Sequence, residues 1–224
     1  MIIIIKQVVK IGGSLFPNYA IDLADKLENT GSVIILGGGE FANLIRKYND
    51  EMNFSDEANH WTAIDCMDII AKLVNDKVES TKLAYSLEEV NEISNDGFTP
   101  IFVVSEFLKR EDPFECSWDV TSDSIAAYVA NCLNANLFIV TDVNGIYTQE
   151  PKEPGSTFIS KIDAKTLLTF QESSIDVMLP SLLLEFGTDC YVVNGKCPER
   201  VLSLIDDNIN DYNFDYTQII GDKR

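Results

Sequence analysis

Twice within its first fifty residues the chain runs from a short apolar segment straight into glycines and then into a helical pattern. That repetition narrows the folding options more than any other feature. The first unit is the apolar run from Met1 to Ile11, interrupted by Lys6, Gln7 and Lys10, which stops at Gly12-Gly13-Ser14, with Pro17 close to where a helix can begin. The second is Ser32-Val33-Ile34-Ile35-Leu36, which ends in Gly37-Gly38-Gly39 before a helical spacing of Phe41, Leu44, Ile45 and Tyr48. Buried-type strands that alternate with helices predict a parallel sheet covered on both faces, and ligands of such sheets sit beyond the carboxyl ends of the strands. A lone Gly-Gly also suits an ordinary tight turn. Three consecutive glycines cost chain entropy, which points to a need for close backbone approach. N–H groups at a helix start attract anions, and Lys10 adds charge beside the first turn.

Further along, Tyr19 to Leu27 predicts a helix with Ile21, Ala24 and Leu27 on one face. A long helix is expected from Ser55 to about Leu73, with Asp56 and Glu57 in its first turn. On it, Asp65 and Asp68 read as a solvated face or a subunit contact, and His60, the chain's sole histidine, as either a packed, hydrogen-bonded side chain or a ligand contact. A short strand from Leu83, a helix through Leu87, Val90 and Ile93, and a strand from Pro100 to Val104 follow. The charged, proline-containing stretch from Glu106 to Glu115 reads as a loop or a hairpin, and Thr121-Ser122-Asp123 opens an alanine-rich helix on which Asp123 suits a cap as well as a site. A second alternating unit has the strand Leu137 to Asp142, the turn Val143-Asn144-Gly145, and Ile146-Tyr147-Thr148. After a loop from Gln149 to Ser156 come helical segments at Ala164–Phe170 and Val177–Phe186, the strand Asp189–Val193 ending at Asn194-Gly195, and a closing helix Pro198–Ile205. The acidic, aromatic tail from Asp206 leads to Gln218-Ile219-Ile220-Gly221, expected to be an edge strand. No repeat, linker or low-complexity tract divides the chain, so residues 1–224 are expected to form one domain with two lobes.

Composition removes several functions. A formal charge of −19 with only 17 Lys and Arg among 224 residues disfavours nucleic acid and anionic membranes as partners, since both need a basic face. No apolar stretch approaches the roughly 20 residues that span a bilayer, and the expected location is the cytoplasm. The five cysteines, at 66, 116, 132, 190 and 197, are odd in number and lack a CxxC pair, which predicts reduced thiols instead of disulfides or a thiolate metal site.

The Lys10-x-Gly12-Gly13-Ser14 start, the Gly37-Gly38-Gly39 turn, the Thr121-Ser122-Asp123 helix start and the turn Thr141-Asp142-x-x-Gly145-Ile146-Tyr147 stand in an order that resembles the amino acid kinase superfamily along nearly the whole chain. Glu40-Phe41-Ala42, His60-Trp61-x-Ala63-Ile64-x-x-Met67-Asp68 and Asn194-Gly195-x-x-Pro198-Glu199-Arg200-Val201 are similar to an archaeal branch related to aspartokinases and uridylate kinases, which includes the aminomethylfuran phosphate kinase of methanofuran biosynthesis. The resemblance implies a three-layer αβα fold with an open, mostly parallel sheet, an acceptor lobe of about residues 1–132 and a nucleotide lobe of about 133–224. It implies ATP and Mg²⁺, with the ion carried by ATP, and at least a homodimer assembled through the N-terminal lobe. By residue, it implies that Lys10 contacts the transferred phosphoryl group, that Asp123 orients that lysine, and that Gly12, Gly13 and Ser14 cradle the nucleotide phosphates. Thr141, Asp142, Asn144, Gly145, Ile146 and Tyr147 would line the nucleotide pocket, with Lys152 reaching over the phosphates. Gly37, Gly38 and Gly39 would hold the acceptor, with Arg46 and His60 as further contacts.

If the acceptor is a phosphate monoester, it is already a competent nucleophile at neutral pH and needs no general base. The expected product is then a diphosphate. One departure stands out: Ser181 occupies the place of a second phosphate-binding lysine, and Lys152, Lys161 and Lys165 are candidates to replace it. Kinases of the same superfamily acting on isopentenyl phosphate, a nucleoside monophosphate or an amino acid remain alternatives, as does a non-catalytic nucleotide- or oxyanion-binding relative.

Overall fold

The strands that alternate with helices build one sheet, and its register decides where the glycine turns lie. A computed structural model describes residues 5–149, 152–170, 174–206 and 213–221. Residues 1–4 of the first apolar run, 150–151 of the proline loop, Ser173 and the tail residues 207–212 lie outside it.

In chain order the elements are β1 (Gln7–Ile11), a short 3₁₀ turn (Gly13–Leu15), α1 (Asn18–Lys26), β2 (Ser32–Leu36), α2 (Gly39–Met52), α3 (Asp56–Lys77), β3 (Thr81–Ala84), α4 (Leu87–Asn95), β4 (Thr99–Phe102) and α5 (Ser105–Glu111). They continue as α6 (Ser122–Leu133), β5 (Asn136–Thr141), β6 (Ile146–Tyr147), β7 (Phe158–Ile159), β8 (Lys161–Asp163), α7 (Ala164–Leu167), α8 (Leu179–Phe186), β9 (Cys190–Asn194), α9 (Pro198–Ile205) and β10 (Tyr216–Ile220). Eight strands form a sheet in the order β3-β4-β2-β1-β5-β9-β10-β8, while β6 and β7 make a separate hairpin. Every pairing in the large sheet is parallel except β9 with β10. Side-chain alternation along β1 and β5 sends Val8, Leu137 and Ile139 to a core under α6 and α8, and Val9, Ile11, Phe138 and Val140 to a second core under α1 and α9. The expected three-layer αβα arrangement with a mostly parallel sheet is therefore present. No helix among the described residues is long and apolar enough to cross a membrane.

Several sequence expectations need correcting. The stretch beyond Val104 is not a loop at its start: α5 forms because Phe107 and Leu108 are buried there, with Phe107 against Phe102 at 5.2 Å. Pro113 follows the left-handed C-cap Asp112 (φ 45°), where a proline terminates a helix without breaking one. The last strand is not an edge, because the three-residue β8 pairs with its free side. Asp68 is buried and accepts the Val104 N–H at 3.1 Å, whereas Asp65 is exposed near Lys109. On α1 the buried row is Ala20, Leu23, Ala24 and Leu27, with Ile21 at the rim. The five cysteines are all free thiols.

Candidate active site

Lys10 shares a face of β1 with Val8, so strand alternation aims it at α6, where Asp123 occupies the first turn. The Lys10 ammonium lies 2.7 Å from Asp123 Oδ1, and the two side chains are only 10% and 6% exposed. Burial pushes the Asp123 carboxyl above its ordinary range, Lys10 pulls it back, and the nearby Asp176 adds a further upward push. The other oxygen, Oδ2, accepts the Asp176 N–H at 3.1 Å. Asp176 in turn accepts from the N–H and hydroxyl of Thr121, the N–H and hydroxyl of Ser124, and the Leu179 N–H that opens α8. It thereby ties the starts of α6 and α8 together behind the ion pair. The cap at the start of α6 is Thr121, whose hydroxyl accepts the Asp123 N–H at 3.5 Å; Asp123 instead turns its carboxylate inward.

The first two glycine turns are pressed against each other. A Cβ on Gly13 would stand 2.2 Å from the Gly39 nitrogen, and one on Gly37 would stand 2.7 Å from the Gly13 nitrogen. Gly39 also has φ +52°, a conformation side chains resist. Each turn commits one N–H to the sheet, Gly12 to the Val140 carbonyl at 2.7 Å and Gly37 to the Ile11 carbonyl at 2.9 Å. An anion must therefore be held by the groups that follow, at the start of the 3₁₀ turn and of α2, where N–H groups have no partner within the helix.

The third turn lies beside the first. Ser14 Oγ donates to Asp142 Oδ1 at 3.3 Å, joining the Gly12–Ser14 turn to the end of β5. Asn144 Oδ1 accepts from Asn194 Nδ2 at 3.1 Å and from Arg200 at 3.0 Å. Gly145 has φ +156° and no room for a Cβ beside Thr217, and its carbonyl accepts from Ser174 Oγ. Of the residues that follow, Ile146 is fully buried in the core with its N–H on Thr217 Oγ1, and Tyr147 packs edge-on against Phe158 in the hairpin. Lys152 is exposed in the hairpin loop, and Ser181 is exposed on α8.

On the other side of the first turn a cavity of about 280 Å³ opens beneath α2. Gly13, Ser14 and the three glycines at 37–39 form one wall, Ala63, Ile64, Met67, Val120 and Ile125 give it an apolar lining, and Glu40, Arg46 and His60 bring polarity. The Arg46 guanidinium lies 4.9 Å from the centre of the Trp118 ring, and His60 is buried with Nδ1 3.3 Å from the Ser117 carbonyl oxygen. The structure thus gathers Arg46 and His60 with the second glycine turn, as the sequence suggested. Sequence reading assigned no individual role to Asp176, Trp118, Glu40, Arg200 or Lys196, which the structure brings to these turns and this cavity. The last of these lies 3.3 Å from the Asp142 carbonyl oxygen, on the loop after β9.

Comparison with known proteins agrees with this fold. The amino acid kinase family matches residues 6–194. The [5-(aminomethyl)furan-3-yl]methyl phosphate kinase of Methanocaldococcus jannaschii is 36% identical over 226 residues, covering 96% of this chain and 98% of that protein. The uridylate kinase of the same organism is 26% identical over 193 residues, covering 79% of each chain. The crystal structure of uridylate kinase from Archaeoglobus fulgidus has the same fold, with a TM-score of 0.70 at 19% identity over 96% of this chain and 99% of that one.

Proposed function

The chain belongs to the amino acid kinase family, and from that premise we propose that it transfers the γ-phosphoryl group of ATP to a small phosphate monoester. The acceptor we favour is [5-(aminomethyl)furan-3-yl]methyl phosphate, named for its 36% identical relative. One observation carries the reading: the Gly13 and Gly39 backbones are in contact, so anions held by the two turns would lie side by side next to Lys10. Phosphoryl transfer needs two anionic groups aligned and their charge neutralised, and it asks for little covalent chemistry from the protein. An acceptor phosphate oxygen forms the new bond to the γ-phosphorus as the bond to the β–γ bridging oxygen breaks, giving a diphosphate and ADP. No proton has to be removed from the nucleophile.

The cavity supports this acceptor class. Its volume of about 280 Å³ suits a small ring, and it offers one guanidinium and one carboxylate, Arg46 and Glu40, to a molecule with a phosphate at one end and an ammonium at the other. The nucleotide would lie across Gly12–Ser14 and the Thr141–Asn144 end of β5. We divide the domain into a lobe of about residues 1–132 that holds the acceptor and lends its Gly12–Ser14 turn to the nucleotide phosphates, and a lobe of about 133–224 that holds the rest of the nucleotide. The Mg²⁺ would be held chiefly by phosphates and water, with Asp142 the carboxylate beside the first turn. When bound with the nucleotide, Mg²⁺ would supply charge compensation at the phosphates.

We also propose a homodimer or larger homo-oligomer, because α2 buries none of its residues and exposes Phe41, Leu44, Tyr48 and Met52. Sedimentation of the purified chain and of Leu44→Asp tests this; a wild-type monomer at micromolar concentration would refute it. An ATP-consuming reaction on a small phosphate monoester would take place in the cytoplasm. The activity test is ADP release with ATP and Mg²⁺ against the aminomethylfuran phosphate, isopentenyl phosphate, UMP and aspartate, with ³¹P NMR of the product. Turnover with the furan phosphate and a diphosphate signal are expected; preference for any other acceptor would overturn the assignment.

A further inference from the structure

We propose that Lys196 supplies the second fixed positive charge on the nucleotide phosphates, exchanging Asp142 for a phosphate oxygen when ATP binds. The inference rests on the reading above that the Gly12–Ser14 turn holds the nucleotide. Its starting point is a shortage of charge. Lys10 is already matched by Asp123 at 2.7 Å, so the buried pair brings no net charge to the cleft. ATP and a phosphate monoester together bring roughly five to six negative charges at neutral pH, into a chain whose formal charge is −19.

Lys196 is a second cation that the structure places beside the first turn. Its Nζ lies 3.3 Å from the carbonyl oxygen and 3.7 Å from Oδ2 of Asp142, whose Oδ1 accepts from Ser14 Oγ. One carboxylate thus bridges the lysine and the turn. The loop carrying Lys196 is fixed at both ends of that bridge. Its own N–H donates to Asn194 Oδ1 at 2.9 Å, Asn194 Nδ2 donates to the Asp142 carbonyl at 3.2 Å, and the Gly195 N–H donates to the Thr141 carbonyl at 2.8 Å. Gly195 lies so close to Val140 and Leu15 that a Cβ would come within 2.4 and 2.6 Å of their methyl carbons. The backbone is therefore seated on the first turn and the end of β5, and only the lysine side chain is free to move.

That side chain is 44% exposed, and exposed ion pairs are weak, so leaving Asp142 for a more highly charged phosphate costs little. Of the other candidates, Lys152 is exposed in the hairpin loop between β6 and β7, and Lys161 and Lys165 are farther along the sheet. Lys161 is on the edge strand β8, four strands from β1, which at roughly 4.8 Å per strand is about 19 Å across the sheet. Lys165 follows it at the start of α7.

The test compares wild type, Lys196→Ala, Lys196→Arg and Lys161→Ala. For Lys196→Ala, kcat/KM for ATP should fall on the order of 10²-fold, with the acceptor KM and the thermal midpoint essentially unchanged. Arginine should recover most of the loss, and Lys161→Ala should behave as wild type. Calorimetric titration with MgATP is run in parallel without acceptor, where Lys196→Ala should weaken binding about tenfold or more. A wild type inactive on every acceptor would sink the acceptor assignment alone, since the titration still reads Lys196. Equal MgATP affinity in wild type and Lys196→Ala overturns the proposal, as does a kcat/KM loss that follows Lys161 instead.

Discussion

Replacing Asp123 with asparagine should lower stability by about 3–5 kcal/mol, because it strands a buried ammonium. The magnitude follows from the geometry. At 2.7 Å and an effective dielectric near 20, the attraction between Lys10 and Asp123 is about 6 kcal/mol, comparable with the several kcal/mol each ion loses on leaving water. The intact pair is then close to neutral for stability, and deleting one partner exposes the other's uncompensated burial. Asparagine keeps the size of the side chain and an oxygen for the Asp176 N–H, so the loss reports charge and not packing. Lys10→Met should cost a similar amount, whereas Lys10→Met/Asp123→Leu should recover most of it. In a chain of this size each kcal/mol moves the thermal midpoint about 2–4 °C, so the single variants should melt on the order of 10 °C lower. Urea unfolding followed by both tryptophan fluorescence and circular dichroism gives the free energies and checks that the slope is unchanged. Turnover in both single variants should fall at least about 100-fold, since Lys10 is either absent or no longer aimed. A cost below about 1 kcal/mol for Asp123→Asn, or three equally unstable variants, would show that the pair is not held in a dry environment and would refute the reasoning.

Asp176→Ala removes the acceptor of five hydrogen bonds from Thr121, Ser124 and Leu179, and denaturant unfolding should show a loss of about 3 kcal/mol or more. Gly13→Ala drives a methyl into the Gly39 backbone and should cost at least about 1–3 kcal/mol along with acceptor turnover. Gly97→Ala, at φ +86° with open space around it, should cost only about 1–2 kcal/mol and leave kinetics untouched. Burial raises the Asp68 carboxyl, partly offset by hydrogen bonds from Ser105 and Val104. Its contribution to stability is therefore full below the ordinary carboxylate pKa of about 3.9 and is lost as pH rises through the raised value. The stability difference, wild type minus Asp68→Asn, should fall between acid and neutral pH, and a flat difference in unfolding free energy across that range would exclude the effect.

The parts of this protein that could be read in advance are those in which residue type alone encodes the requirement. Glycine at 13 and 39 signals backbone contact because nothing larger fits, and the apolar runs of β1, β2 and β5 signal strands buried on both faces. What stayed hidden depends on partners far away in the chain. Asp176 resembles any loop aspartate until α6 and α8 meet over it, 52 to 55 residues from its Thr121 and Ser124 donors. Lys196 resembles a surface lysine until β9 pairs with β5 and brings it to Asp142, 54 residues earlier. In α5 the charged majority masks Phe107 and Leu108, the two buried apolar residues that settle its conformation. In β8 three residues are too few for a period-2 pattern to register.

Strand register explains why glycine turns scattered over nearly 200 residues serve one cleft. Ile11 is level with Leu36 on one side and Val140 on the other, and Thr141 is level with Asn194. Four parallel strands therefore end along one line, and the turns that follow, at Gly12, Gly37, Asp142 and Gly195, share a single edge of the sheet. The same register sets the polarity of Lys10. A slip of one residue in β1 would turn it away from Asp123 and into the apolar core formed by Ile11, Leu23 and Val140. Burying an unpaired ammonium there costs several kcal/mol, so the ion pair that aims the lysine also penalises the misregistered sheet. The lysine to which we assign the transferred phosphoryl group thereby helps to specify the fold that positions it.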